Sequence, residues 1–312
     1  MRHSSSPALE LHGVGLTYPA ADRHGKATDA LRDLSLVVEP GRILGLAGPN
    51  GAGKTSLLEI CIGALAPTRG NLSWFGSPVL SSDVRRRIGF CPDMPSFPRR
   101  MTGRELLSLF AALDGVPPAL ARKRIDLLAE RLRLQDALDK RVESMSRGTA
   151  VRLGMLQAIV CERDLLLCDE TFSPLDPAAQ VDLREVLREE ADRGAAVLVS
   201  SHQLEQLAKV AGAVAIMRAG SIVRYLNTDA LKARGLLVLD LDGLDERDVA
   251  LTAGGFEGAW RSGRQLLVPW ASEELDELQV RRSLPAVATG IRIVGLTAFS
   301  LESVFLAAMN EP

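Results

Sequence analysis

Gly48-Pro49-Asn50-Gly51-Ala52-Gly53-Lys54-Thr55 fits G-x-x-x-x-G-K-[ST] at every fixed position, the spacing of a phosphate-binding P-loop. Gly48, Gly51 and Gly53 let the backbone turn with its N–H groups pointing inward, and the N-terminus of the helix that continues through Ser56 adds partial positive charge. In that arrangement Lys54 reaches the β- and γ-phosphates of a nucleotide and the Thr55 hydroxyl binds Mg²⁺. Downstream, the apolar run Leu165-Leu166-Leu167-Cys168 ends in Asp169-Glu170, and Ala195-Ala196-Val197-Leu198-Val199 ends in Ser200-Ser201-His202. An acid pair after an apolar run is as often a solvated strand end as a site. With a P-loop upstream, the roles of metal ligand and general base become the stronger reading.

Several elements must bring these residues together. Ile43-Leu44-Gly45-Leu46-Ala47 reads as a buried strand feeding the glycine-rich loop, and Ser56-Leu57-Leu58-Glu59-Ile60 reads as a helix leaving it. The runs ending at Asp169 and Val199 read as buried parallel strands, which deliver their polar ends to the carboxyl edge of a sheet. Between them a helix is expected from Pro177, a good first-turn residue, to Arg193, with Gly194 closing it. Residues 9–17 and 31–38 alternate as strands joined by a polar loop at 22–28, with Tyr18 at the start of that loop. Pro67-Thr68-Arg69-Gly70 reads as a turn before strand-like 71–75, and Arg87-Ile88-Gly89-Phe90-Cys91 as a further strand. Residues 101–134 carry apolar positions at helical spacing, interrupted by Gly115-Val116-Pro117-Pro118, which suggests an inserted helical subdomain.

Composition narrows the class. The 312 residues are 46% apolar and 24% charged with a net charge of −2, which is ordinary globular composition and lacks the basic excess of a nucleic-acid binder. The four cysteines, Cys61, Cys91, Cys161 and Cys168, fall in core-like segments without C-x-x-C spacing and read as reduced packing residues of a cytoplasmic protein. His3, His12 and His24 sit in polar surroundings with no ligand spacing. Residues 1–7 contain no apolar signal-peptide core, and no uncharged apolar run approaches the length of a membrane span. A membrane role would therefore need another chain to do the spanning.

Over residues 8–230 the chain resembles the ATP-binding cassette (ABC) transporter ATPases. Gly48 to Thr55 matches Walker A, Leu165 to Asp169 matches Walker B, Glu170 stands at the catalytic glutamate, Leu175-Asp176 at the D-loop and His202 at the H-loop. Met145-Ser146-Arg147-Gly148-Thr149 occupies the place of the LSGGQ signature. The resemblance implies an α/β P-loop NTPase (RecA-like) core with an antiparallel β subdomain. It places the nucleotide-binding domain at 8–232, its helical subdomain at about 95–160, and a small C-terminal α+β domain at 235–312. It further implies ATP hydrolysis with Mg²⁺ held by Thr55 and Asp169, Glu170 as base and His202 as γ-phosphate sensor. Tyr18 is expected to stack on adenine. Ser146, Arg147 and Gly148 are expected to cap, in trans, the ATP of a second cassette, as a homodimer or heterodimer. The expected partner is an integral-membrane permease in a separate chain, with the ATPase cytoplasmic and peripheral on the inner face of the cell membrane.

The chain departs from that family's pattern at informative places. Asp93 stands where the Q-loop glutamine belongs, which leaves open either water-mediated Mg²⁺ binding or repulsion of the γ-phosphate. Arg147 replaces a signature glycine, adding charge that favours phosphate, Thr149 replaces the glutamine, and Thr171 follows Glu170 where proline is usual. The tail reads as β-α-β-β-α-β, with strands at 236–241, 256–260, 265–270 and 291–296 and helices at 246–252 and 272–282, the order of a ferredoxin-like domain. A last helix begins after Ser300, its Leu301, Val304, Phe305 and Ala308 forming one apolar face. This ending is similar to those of ABC-2-type and drug-export ATPases and points toward export. A soluble ABC ATPase acting on ribosomes or DNA and a low-turnover regulatory cassette are the alternatives.

Overall fold

A computed structural model describes residues 6–19, 27–229, 235–241, 259–262, 264–270, 292–297 and 301–310. The chain divides into two units, Met1–Tyr225 and Leu226–Pro312. No helix among the described residues is long and apolar enough to cross a membrane.

The first unit is built on a six-stranded sheet ordered β5 (Ile88–Cys91), β6 (Leu165–Asp169), β7 (Ala196–Ser201), β3 (Ile43–Ala47), β8 (Ala213–Arg218) and β9 (Ser221–Asn227). Every residue of β3, β6 and β7 is buried, as continuous apolar runs require when a parallel sheet is covered on both faces. The register levels their carboxyl ends: Asp169 lies opposite Ser200, and Ala47 lies opposite Ser201 on one side and Ile216 on the other. The glycine-rich loop, Asp169-Glu170 and Ser201-His202 therefore leave the sheet along one edge, as the sequence suggests.

A second, antiparallel sheet is ordered β2 (Thr28–Val38), β1 (Leu9–Tyr18) and β4 (Arg69–Trp74). Its inward residues Leu9, Leu11, Leu34, Leu36 and Trp74 join Leu57, Leu58 and Ile60 of helix α1 (Lys54–Cys61) and Leu44, Leu46 and Leu167 of the parallel sheet in one core. Each fully buried leucine contributes about 1.5–3 kcal/mol, so α1 is pinned from both sides and its N-terminus is fixed at the sheet edge. The turn expected at Arg69-Gly70 is instead the start of β4, because Arg69 pairs with Gly15 of β1. Thr28, expected in a polar loop, begins β2 and pairs with Tyr18.

The loop is also fastened to β2 by backbone. Gly220, in the turn between β8 and β9, donates its N–H to Ala52 O at 3.1 Å, and its own carbonyl accepts Arg32 N–H at 2.8 Å. The Ala30 carbonyl is wedged between two glycines: a Cβ on Gly53 would lie 2.6 Å from it, and one on Gly220 would lie 2.7 Å from it. Gly53 also has φ +100°, where a side chain is strained. Gly53→Ala is expected to cost about 1–3 kcal/mol from backbone strain before the clash is counted, lowering the melting midpoint by about 5 °C. Calorimetry checks this, and an unchanged midpoint would contradict the packing of β2 on the loop.

The helical region carries its own terminal signals. After the short α2 (Ser82–Arg86), α3 (Gly103–Leu113) begins with a capping box: Thr102 Oγ1 accepts Glu105 N–H and Glu105 accepts Thr102 N–H, an arrangement worth about 1 kcal/mol. Helix α4 (Pro118–Arg131) starts with proline, and α5 (Arg147–Ile159) is capped by Ser146. Arg152 of α5 donates to the carbonyls of Leu132 and Arg133, tying α5 to the end of α4. Helix α6 (Pro177–Asp192) precedes β7, and α7 (Leu204–Val210) precedes β8.

All four cysteines are free. Cys61, Cys91 and Cys168 are buried as expected, and burial pushes the Cys168 thiol up to about 12. Cys161 is only half-buried, because it follows the last turn of α5 instead of lying inside it.

In the second unit, β10 (Gly235–Asp240), β11 (Trp260–Ser262), β12 (Gln265–Trp270) and β13 (Arg292–Thr297) form a sheet ordered β11-β12-β10-β13 with antiparallel neighbours. That is the strand order a β-α-β-β-α-β chain gives. The helices expected at 246–252 and 272–282, and the Ser300 cap, lie outside the described residues. Helix α8 (Leu301–Asn310) buries Leu301, Val304 and Ala308, the expected apolar face, with Phe305 half-buried.

Candidate functional site

A cavity of about 390 Å³ opens at the edge where α1 begins, lined by Tyr18, Thr28, Asp29, Ala30, Asn50, Gly51, Ala52, Gly53, Lys54, Thr55, Ser56, Asp93 and Glu170. The volume lies within the range of small-molecule sites. One wall is the loop and first turn of α1, whose N–H groups and dipole favour an anion. The opposite wall, Thr28 to Ala30, comes from β2 and carries no motif that would have marked it in the sequence. Tyr18 reaches this cavity, its hydroxyl 3.1 Å from Ser56 Oγ and its side chain partly exposed.

Lys54 is the most buried cation at the loop, 6% exposed. Its Nζ donates to Gly48 O at 2.7 Å and Pro49 O at 3.2 Å, and lies 3.2 Å from Glu170 Oε1. These partners hold the ammonium over the loop. Glu170 in turn is held from three sides. Its N–H donates to Ser200 Oγ at 3.0 Å, its Oε2 lies 2.7 Å from His202 Nδ1, and Oε2 accepts His202 N–H at 3.2 Å. Glu170 Oε1 is buried with the ion pair to Lys54 and no hydrogen bond, leaving acceptor capacity toward the cavity. The residue adopts φ +48°, a left-handed conformation that costs a non-glycine residue on the order of 1 kcal/mol and turns the carboxylate back over the loop.

Asp169 is 3% exposed. Its Oδ2 accepts the Thr55 hydroxyl at 2.8 Å and its Oδ1 accepts the Ser200 hydroxyl. Burial pushes the Asp169 carboxyl up, the two hydroxyl hydrogen bonds pull it back down, and the charges of Glu170 and Asp93 add to the rise. Ser200 thus orients both acids, Asp169 through its proton and Glu170 through its lone pair. Its sequence signal is faint: a small hydroxyl residue at the end of an apolar strand, with the pairing to Asp169 set by register alone. Thr55 and Asp169 form a hard oxygen pair suited to Mg²⁺. Among the described residues no group of three or more His, Cys, Asp and Glu is placed to enclose a metal. A small donor set is what Mg²⁺ uses when water and phosphate oxygens complete its shell.

Gly48 and Pro49 contribute their carbonyls to Lys54, and Asn50 to Ser56 line the cavity. Ser146, Gly148 and Asp176 are not among the lining residues. Ser146 caps α5, its Oγ accepting Thr149 N–H at 3.2 Å. A Cβ on Gly148 would stand 2.8 Å from Pro174 O, so the start of α5 packs closely on the segment leading to Asp176. Asp176 caps α6, and the Ala179 N–H it accepts at 2.9 Å holds its carboxyl below the usual range. Arg147 departs from expectation: instead of offering a free charge to phosphate, its Nη2 lies 2.8 Å from Asp93 Oδ1.

A model of the ABC transporter family matches residues 31–173. The chain is 30% identical over 307 residues to the daunorubicin resistance ATP-binding protein DrrA3 of Streptomyces coeruleorubidus, covering 94% of this chain and 95% of that protein. It is 35% identical over 189 residues to the Nod factor export ATP-binding protein I of Burkholderia thailandensis, covering 60% of this chain and 62% of that protein. The chain likewise spans 61% and 64% of the length of other curated relatives, in Nostoc and Bacillus subtilis. A solved ATP-binding subunit of an ABC transporter superposes with a TM-score of 0.64 at 27% identity, over 72% of this chain and 92% of that one.

Proposed function

The chain belongs to the ABC transporter ATP-binding proteins, and on that premise we propose that it hydrolyses ATP as the peripheral subunit of a multi-subunit exporter whose membrane-spanning permease is a separate chain. The observation that carries this reading is the meeting of Lys54, Glu170 and His202 above the loop, with Thr55 and Asp169 beside them. The triphosphate lies along the loop N–H groups, and Lys54 turns from Glu170 to the β- and γ-phosphates. Glu170, released on Oε1 and still held by His202 and Ser200, orients a water toward the γ-phosphate and takes its proton. Thr55 and Asp169 would hold Mg²⁺, which when bound would neutralise charge on the phosphates. Tyr18, which lines the cavity, stacks on the adenine ring in this reading. The likeness to a daunorubicin resistance protein and a Nod factor export protein supports export.

The working unit in this reading is a dimer. The chain has one glycine-rich loop and one Ser146-Arg147-Gly148 segment, and Ser146 at the N-terminus of α5 is outside its own cavity. A second cassette, identical or related, supplies it to the γ-phosphate, so ATP joins the two through charge-assisted hydrogen bonds. Glu170→Gln, which blocks hydrolysis, is expected to sediment as a dimer with saturating ATP and as a monomer without it. Ser146→Arg in that background is expected to stay monomeric while binding ATP within about threefold of the parent, since its own loop is untouched. A monomer in both cases, with the permease present, would overturn the composite site. Copurification with an integral membrane protein tests the transporter assignment itself.

A further inference from the structure

The charges that set this chain apart from its family's motifs are paired with each other. Asp93 follows β5 and lines the cavity with Lys54, Thr55 and Glu170; Arg147 is the first residue of α5, 54 positions away in sequence. Their Nη2 to Oδ1 distance is 2.8 Å, and their side chains are 55% exposed for Arg147 and 37% for Asp93. Taken singly, each is a poor choice. A carboxylate in the wall of a triphosphate site repels the ligand through a medium that screens less than bulk water, and an arginine at the start of a helix meets an unfavourable dipole. Taken together they are close to neutral, with the guanidinium drawn away from the helix axis onto the carboxylate.

We propose that Arg147 is a positioning residue that neutralises Asp93, so that the two charges act as one unit in place of a neutral amide and admit a triphosphate to the cavity. This rests on the reading of the cavity as an ATP site. Lys54, the cation that lines the same cavity, does not serve Asp93 in this way: its partners are Gly48 O, Pro49 O and Glu170, and in the proposed function it turns to the phosphates. The effect of the pair falls on the γ-phosphate end, where Glu170 and Asp169 already add negative charge, so it separates triphosphate from diphosphate. A merely structural salt bridge at this exposure contributes little to stability and nothing to that preference.

The test is equilibrium binding of β,γ-imido ATP and of ADP, each with Mg²⁺, to the full chain. Arg147→Gly is expected to weaken the triphosphate analogue by about tenfold or more while ADP changes less than about threefold, the effect of one uncompensated charge at short range. Arg147→Lys, which keeps the charge, should stay near the parent. The double change Asp93→Gln with Arg147→Gly should restore triphosphate binding to within about threefold. The melting midpoint of Arg147→Gly should move by no more than about 2 °C, as expected for a half-exposed pair. The pair is overturned if Arg147→Gly keeps the parent's ratio of triphosphate to diphosphate affinity, or if the double variant binds as weakly as the single one. A parent chain that bound neither nucleotide would overturn the ATP site and the pair together, whereas an unchanged ratio in a parent that binds both overturns the pair alone.

Discussion

Glu170→Gln is expected to retain ATP and lose turnover by about 10²–10⁴-fold, the usual consequence of removing a general base from an intact binding site. The substitution is nearly isosteric. An amide oxygen can still accept the His202 N–H that Glu170 Oε2 accepts at 3.2 Å, and the backbone contact from Glu170 N–H to Ser200 Oγ does not involve the side chain. What disappears is the negative charge that pairs with Lys54 and receives a proton from water. Releasing Lys54 from that pair frees it for phosphate, so ATP affinity should hold or rise. Steady-state phosphate release together with equilibrium nucleotide binding measures both effects. Hydrolysis within about threefold of the parent would remove Glu170 from the chemistry.

Lys54→Ala is expected to act on binding first. The ammonium supplies charge-assisted hydrogen bonds worth about 1.5–3 kcal/mol in total to the phosphates, so nucleotide affinity should fall by about 10–100-fold. It also leaves Glu170 Oε1 buried with no opposite charge, a loss that should lower the melting midpoint of the nucleotide-free protein by about 3 °C or more. Adding Glu170→Gln to Lys54→Ala should recover that stability and none of the affinity, because the two effects have different partners. Calorimetry and nucleotide titration on the single and double variants separate them. A Lys54→Ala protein that binds ATP like the parent would sink the reading of the loop.

Much of this was legible because the informative residues are neighbours in sequence. The glycine-rich loop, the buried runs Leu165 to Asp169 and Ala196 to Val199, and the proline-started helix from Pro177 each declare themselves within a few positions. Contacts fixed by register did not. Ser200 meets Asp169 because β6 and β7 are level, and Thr28 to Ala30 wall the cavity because β2 folds over α1. Arg69-Gly70 reads as a turn from residue type, yet pairing with β1 draws it into a strand and leaves Gly70 with φ +81°. Asp93 and Arg147 look like separate blemishes in a sequence and become one feature only when β5 and α5 are packed together. That packing is close: a Cβ on Gly89 would lie 2.4 Å from Ala158 O.

The hydrogen bonds from Gly220 to Ala52 and from Arg32 to Gly220 join the glycine-rich loop to β2, an edge strand of the antiparallel sheet, through a single turn. A loop fastened in this way cannot move privately. Any displacement of the backbone around Ala52 would have to be followed by the β8–β9 turn and strand β2 or break these bonds, and the Ala30 carbonyl lies where a Cβ on Gly53 or Gly220 would meet it. The glycine-rich loop, the β8–β9 turn and strand β2 are therefore one mechanical piece, joined at Gly220.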